Sequence, residues 1–300
     1  MEFRILGPLA LASGAANDVG GPRERKILAA LVLMANEPVS TQYLIDVVWH
    51  EAPPSTARQQ VQNCVGAIRS RLRRSGISAE IARRATSYSL QLCEEQADVL
   101  VFRRLCADAD RFAARGDIVG SCAHLRNALA LWRGHALEDI DSEVLTGRAA
   151  ALEECRVRAI EQYVRLEITQ DRAGEILADL FGWIRQYPYH EGLHGFLAES
   201  LEKVGRTAEA IRVLQQLRHR LRDDLGIKAG AAVLEVEQRL LLRSSQPRSA
   251  TGPAAENRGD LVRTIESAMS SLSAVLDILA HTNRLGLSGP GNDPGVVTGR

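Results

Sequence analysis

Aromatic side chains are scarce, 4% of 300 residues, so any core must be built from Leu, Ala, Val and Ile within a hydrophobic fraction of 45%. That fraction is ordinary for a globular chain. Cysteine is sparse too. Cys64, Cys93, Cys106, Cys122 and Cys155 are odd in number and include no CxxC pair. This speaks against a disulfide framework or a zinc ribbon, and reads as reduced thiols in a cytoplasmic protein. No apolar run approaches the roughly 18 residues of a membrane helix, so no membrane partner is expected. Glu2 and Arg4 interrupt the stretch where a signal peptide would be apolar. No GxxxxGK[ST] loop exists, and with it goes the usual nucleotide cradle. Net charge is absent as well: 37 basic residues face 37 acidic ones.

Against that neutral background one segment stands out. Residues 53–92 hold seven arginines (Arg58, Arg69, Arg71, Arg73, Arg74, Arg83, Arg84) and one acid, Glu80. Such a local positive field attracts polyanions. Residues 96–243 have 21 basic and 23 acidic residues, so the sign changes beyond it.

The order of patterns is informative. Phe3 to Leu6 and Leu9 to Leu11 read as strands around Gly7-Pro8. Ile27, Leu28, Leu31 and Met34 then give a helix from Arg23. A second follows to Trp49, capped by Ser40 or Thr41, with Leu44, Val47 and Val48 as its apolar stripe. A third opens after Pro53-Pro54 with Ser55 as N-cap and stops at Gly76. At about 100° per residue, Ala57, Val61, Cys64, Val65, Ile68 and Leu72 share its inner face. Gln59, Gln62, Asn63, Gly66, Ser70 and Arg73 share the outer one, flanked by Arg58 and Arg69. A hairpin pattern ends at Leu92, with Arg83 and Arg84 near its bend and Tyr88, Leu90 and Leu92 alternating.

The expected fold is therefore mainly α with small β-sheets: an N-terminal winged helix-turn-helix over 1–95, then a tetratricopeptide-like helical repeat over 96–243. The repeat shows as Asp171-Arg172-x-x-Glu175 recurring 34 residues later as Gly205-Arg206-x-x-Glu209, with Leu180 matched by Leu214. Residues 244–259 read as a Pro/Gly-rich linker. Over 260–286, Val262, Ile265, Met269, Leu272, Leu276 and Leu279 form a heptad seam. That seam fits either a homodimeric coiled coil or a helix packed on the repeat domain. Residues 287–300 read as a disordered tail.

Arginine can fork onto guanine, Gln and Asn onto adenine, and flanking arginines onto phosphates. The third helix is thus a candidate reader of double-stranded DNA. Two other classes stay open: a helical-repeat scaffold whose basic segment binds an acidic protein, and a zinc hydrolase. The second rests on His190-Glu191-Gly192-Leu193-His194, an HExxH match with no third ligand in view, which reads more simply as a helix start after Pro188. Asp139, Asp141 and Glu143 read as a solvated acidic loop.

Seven stretches, MEFRILGPL, GGPRERKILAAL, VSTQYLIDVVW, PPSTARQQVQNCVGAIRSRLR, LRNALALWRG, GRTAEAI and DDLGIKAG, follow in that order over residues 1–243. In these the chain resembles the Streptomyces antibiotic regulatory protein family, the compact AfsR-type activators. The resemblance implies an OmpR-like winged helix followed by a bacterial transcriptional activation domain, without enzymatic activity or cofactor. It implies binding to direct repeats at promoters of secondary-metabolite clusters and recruitment of RNA polymerase holoenzyme through its sigma factor. By position, Arg58 and Arg69 match recurrent arginines of the recognition helix. Gln59, Gln62 and Asn63 match its base-facing positions, and Arg83, Arg84 and Tyr88 the wing. Trp49, His50, Glu51 and Pro53 match a polymerase-touching loop. Two departures matter. Thr86-Ser87-Tyr88 stands where relatives carry Pro-Gly-Tyr, removing the residue that tolerates positive φ most easily. Gly66 stands mid-helix in place of a larger residue.

Overall fold

A computed structural model describes residues 1–11 and 19–245. Of the linker expected at 244–259, Ser244 and Ser245 instead close the last described helix, while residues 246–259, the heptad segment 260–286 and the tail 287–300 lie outside the described residues.

Two short strands, β1 (Phe3–Arg4) and β2 (Ala10–Leu11), pair antiparallel. Between them Gly7 holds φ +137, and a Cβ there would meet the Arg133 Cβ at 3.0 Å. Glycine therefore serves both the turn and a close approach to the helical half. Next come α1 (Pro22–Leu33), β3 (Val39–Ser40), α2 (Thr41–Trp49) and α3 (Ala57–Arg74). The hairpin β4 (Glu80–Arg84) and β5 (Ser87–Gln91) follows. Its sheet has three strands, ordered β3-β5-β4, because Val39 and Ser40 pair with Tyr88 and Ser87. Two residues are too few for a period to show in the sequence, so β3 was not expected.

Helix α1 is buried from Ile27 through Leu33. Such all-round burial marks a helix enclosed by neighbours rather than one lying on a surface. The inner face of α3 is as the periodicity predicts: Ala57, Val61, Val65, Ile68 and Leu72 are buried and Cys64 is partly so. Its start differs. Thr56 is the N-cap, without a side-chain cap bond, and Ser55 lies one residue outside. At the other end Ile77 N–H reaches the Leu72 carbonyl at 3.0 Å, with Gly76 at φ 68. This is the left-handed glycine stop that the sequence suggested.

The rest is helical: α4 (Asp98–Ala114), α5 (Ile118–Leu129), α6 (Glu143–Thr169), α7 (Leu177–Gln186), α8 (Glu191–Lys203), α9 (Thr207–Leu225) and α10 (Ala231–Ser245). The repeat is visible in its turns. Gly116, Asp171 and Gly205 all have positive φ. In each case the next residue donates back five positions: Asp117 to Phe112 at 3.0 Å, Arg172 to Glu167 at 3.0 Å and Arg206 to Leu201 at 2.8 Å. Leu180 and Leu214 are both fully buried. Among the described residues no helix is long and apolar enough to cross a membrane.

The two halves are joined through polar contacts. Asp98, 2% exposed, accepts the N–H groups of Ile5 and Leu6 at 2.9 and 3.0 Å. Burial pushes its carboxyl above the usual range, against the pull of those bonds. Arg133 N–H donates to the Leu6 carbonyl at 2.8 Å and its guanidinium to the Pro8 carbonyl at 2.9 Å. Asp139 accepts the Leu9 N–H at 2.8 Å and pairs with Arg25. The Ser142 hydroxyl donates to the Val47 carbonyl at 2.7 Å. The acidic loop is thus not simply solvated: Asp139 is a clasp between the halves.

Candidate nucleic-acid interface

Helix α3 presents its polar face to solvent. Arg58, Gln59, Asn63, Gly66, Ser70, Arg73 and Arg74 are exposed and Gln62 is half-buried. The Gln59 amide donates to Asn63 Oδ1 at 3.1 Å, one turn on, which holds the two amides in register. A Cβ at Gly66 would meet nothing within 4 Å. Nothing inside the chain requires glycine there, and bare backbone in mid-face permits close approach from outside.

The arginines divide by geometry. Arg58, Arg73, Arg74, Arg83 and Arg84 are exposed. Arg69 instead donates through Nε to the Ile81 carbonyl at 3.1 Å and so fastens β4 to α3. Arg71 turns inward to Glu24 at 2.8 Å. An arginine outside the basic segment joins the same surface: Arg23 lies 5.5 Å from the centre of the Trp49 ring and donates to Gln60 at 2.7 Å. Its place in the run GGPRERK was the available signal.

The wing closes without glycine. Arg84 pairs with Ser87, leaving Ala85 and Thr86 as a two-residue turn in which Ala85 takes φ 48. The Thr86 carbonyl accepts Thr41 N–H at 2.7 Å and the Thr41 hydroxyl at 2.8 Å, which fixes the tip against α2. Tyr88 is 3% exposed. It is a core residue beneath the wing, and its assignment as a DNA contact is corrected. It shares the inward face with Leu90, while Arg83 and Arg84 stay outside.

In the loop after α2, Glu51 and Pro53 are exposed, Trp49 is half-buried under Arg23, and His50 has φ 54. His50 Nε2 lies 3.0 Å from Glu143 Oε2, so this loop touches the first turn of α6.

The HExxH residues take structural positions. His190 is the N-cap of α8, its Nδ1 accepting the Leu193 N–H at 3.3 Å. His194 is 2% exposed, with Nδ1 3.0 Å from the His190 carbonyl. Glu191 accepts the Gly230 N–H at 2.7 Å. The two imidazoles and the carboxylate are thus each engaged with a different backbone group.

A three-helix unit with a β wing and an exposed basic helix defines the class of winged-helix regulators. Residues 19–85 match the family model described as "Transcriptional regulatory protein, C terminal", and residues 97–241 match the "Bacterial transcriptional activator domain". The chain is 30% identical over 287 residues to the transcriptional regulatory protein EmbR of Mycobacterium tuberculosis, covering 93% of this chain and 74% of that protein. It is 28% identical over 262 residues to the regulatory protein DnrI of Streptomyces peucetius, covering 84% and 96%. The solved structure of M. tuberculosis EmbR in complex with a low-affinity phosphopeptide superposes with a TM-score of 0.71 at 30% identity, covering 88% of this chain and 70% of that one. The chain belongs to the Streptomyces antibiotic regulatory protein family of transcriptional regulators.

Proposed function

We propose that this regulator activates transcription by binding direct repeats at promoters of a secondary-metabolite cluster and recruiting RNA polymerase holoenzyme through its sigma factor. Residues 1–95 are the DNA-binding domain in this reading, and 96–243 the activation domain. The exposed amide-and-arginine face of α3 carries it. Gln59, Gln62, Asn63 and Arg73 read base edges there, Gly66 admits the backbone closely, and Arg58, Arg69, Arg83 and Arg84 meet phosphates. Trp49, His50, Glu51 and Pro53 form the surface offered to polymerase, beside the wing and against α6.

A gel-shift with promoter DNA and excess competitor, followed by a footprint, tests the DNA half of the proposal. Protection of paired repeats that survives competitor and weakens steeply with salt is expected, since phosphate contacts release counterions. Loss of all binding under competitor would favour the scaffold reading.

A further inference from the structure

The stretch DDLGIKAG takes no part in the DNA-facing surface, yet it shapes a cavity where α9 passes into α10. Helix α9 stops at Gly226, with φ 68, and the Ile227 N–H returns to the Leu221 carbonyl at 3.1 Å. At the other end of the connection the Gly230 N–H is held by Glu191 at 2.7 Å. The loop is thus fixed at both ends, and it leaves Ile227 49% exposed. Leu234, in the first turn of α10, is 41% exposed. Single exposed apolar side chains are ordinary, but two in one concave site rimmed by polar groups mark a binding groove. Both line a cavity of about 520 Å³, well inside the range of roughly 300 to 1,000 Å³ for ligand pockets.

The rest of the wall is basic. Arg218 and Arg222 stand one turn apart on α9 with His219 between them, and Lys228 comes from the loop; none of the lining residues is acidic. Among the described residues neither Lys228 nor His219 has a hydrogen-bond or ion-pair partner. The two arginines are each held through one nitrogen: Arg218 Nη1 donates to Glu237 at 2.8 Å and Arg222 Nε to Asp223 at 2.8 Å. Each guanidinium has five N–H donors, so donors remain at both. The cavity therefore joins an apolar side to a side that offers cationic donors and no acceptor of like strength. We propose that it binds a small amphiphilic anion: an acyl chain of intermediate length ending in a carboxylate. The chain lies against Ile227 and Leu234, and the carboxylate meets Lys228 and the basic stripe of α9.

Calorimetric titration of the full chain with octanoate, octanol and acetate tests this without DNA, so its outcome is independent of the DNA-binding reading. Octanoate should bind at one site per chain. Octanol lacks the charge and acetate lacks the chain, and each should bind about tenfold or more weakly. Lys228→Gln, an exposed substitution, should weaken octanoate about tenfold and leave octanol unchanged. Leu234→Ser, also at an exposed position, should weaken both. Absence of heat with octanoate to millimolar concentration overturns the proposal. So does binding of octanol or acetate as tight as that of octanoate, or octanoate binding indifferent to Lys228→Gln and Leu234→Ser.

Discussion

Asp139 and Arg25 form an ion pair across 114 residues of sequence, and the other Asp139 oxygen accepts the Leu9 N–H. One carboxylate thereby clasps α1 and the N-terminal strand pair to the loop before α6. Asp139→Ala removes both contacts and orphans a backbone donor, for a cost of about 1–3 kcal/mol. Arg25→Ala removes only the ion pair, at about 0.2–1 kcal/mol for a partly exposed pair. Urea unfolding of the two single variants and the double variant checks this ordering. Equal losses in the two single variants would mean that the Leu9 bond contributes nothing.

Arg58 and Arg69 should behave differently, although both are flanking arginines of one helix. Arg58 is exposed, whereas Arg69 anchors the Ile81 carbonyl. Arg58→Ala should weaken binding to all DNA sequences alike and reduce the salt slope by about one, with unchanged melting. Arg69→Ala should also lower stability, by about 1 kcal/mol, because a charged donor to a backbone carbonyl is lost. Thermal melts beside salt-titrated binding curves separate the two. A melting point for Arg69→Ala equal to wild type removes the anchoring role.

In the proposed reading, base discrimination belongs to the amides. Gln62→Ala and Asn63→Ala should relax preference at one or two base pairs by about 1–3 kcal/mol each while leaving non-specific binding intact. Competition against operator variants reads this directly. Full retention of discrimination in both variants would show that this face of α3 does not read bases.

The wing tip is strained. Ala85 holds φ 48, where the Cβ of an L-residue crowds the following carbonyl. Ala85→Gly should therefore stabilise the protein by up to about 1 kcal/mol, net of the greater chain entropy of glycine. A higher denaturation midpoint is the expected result; a lower one would show that the strain is offset elsewhere in the turn.

What the sequence disclosed, and what it hid, follows from the range of the interactions. Helix α3 was legible because its apolar residues repeat at 3.6 through 18 residues, and its glycine stop is a local device. The clasp at Asp139, the inward turn of Arg71 to Glu24 and the contact of His50 with Glu143 were not legible. Each joins residues tens of positions apart, and no local pattern marks a charge as taken. Tyr88 is the instructive case. Its alternation with Leu90 and Leu92 pointed to one face, and those residues are indeed at 3%, 0% and 8% exposure. The position carried over from relatives pointed to DNA, and here the period was the better guide.

His194 supplies the pH test. Burial holds its imidazole below the ordinary value of 6.5, only partly offset by the bond to the His190 carbonyl, and Arg220 and His190 nearby push the same way as burial. Below about pH 6.5 the unfolded chain therefore takes up a proton that the folded chain refuses. Stability falls as pH drops from that point towards the depressed folded value, and the loss is complete below it. His194→Gln keeps an amide that can donate to the same carbonyl but does not titrate. Melting temperatures across about pH 7 to 5 should show wild type losing more than the variant over this window. Parallel curves would mean that His194 contributes nothing to acid sensitivity, and a shallower wild-type curve would reverse the sign of its role.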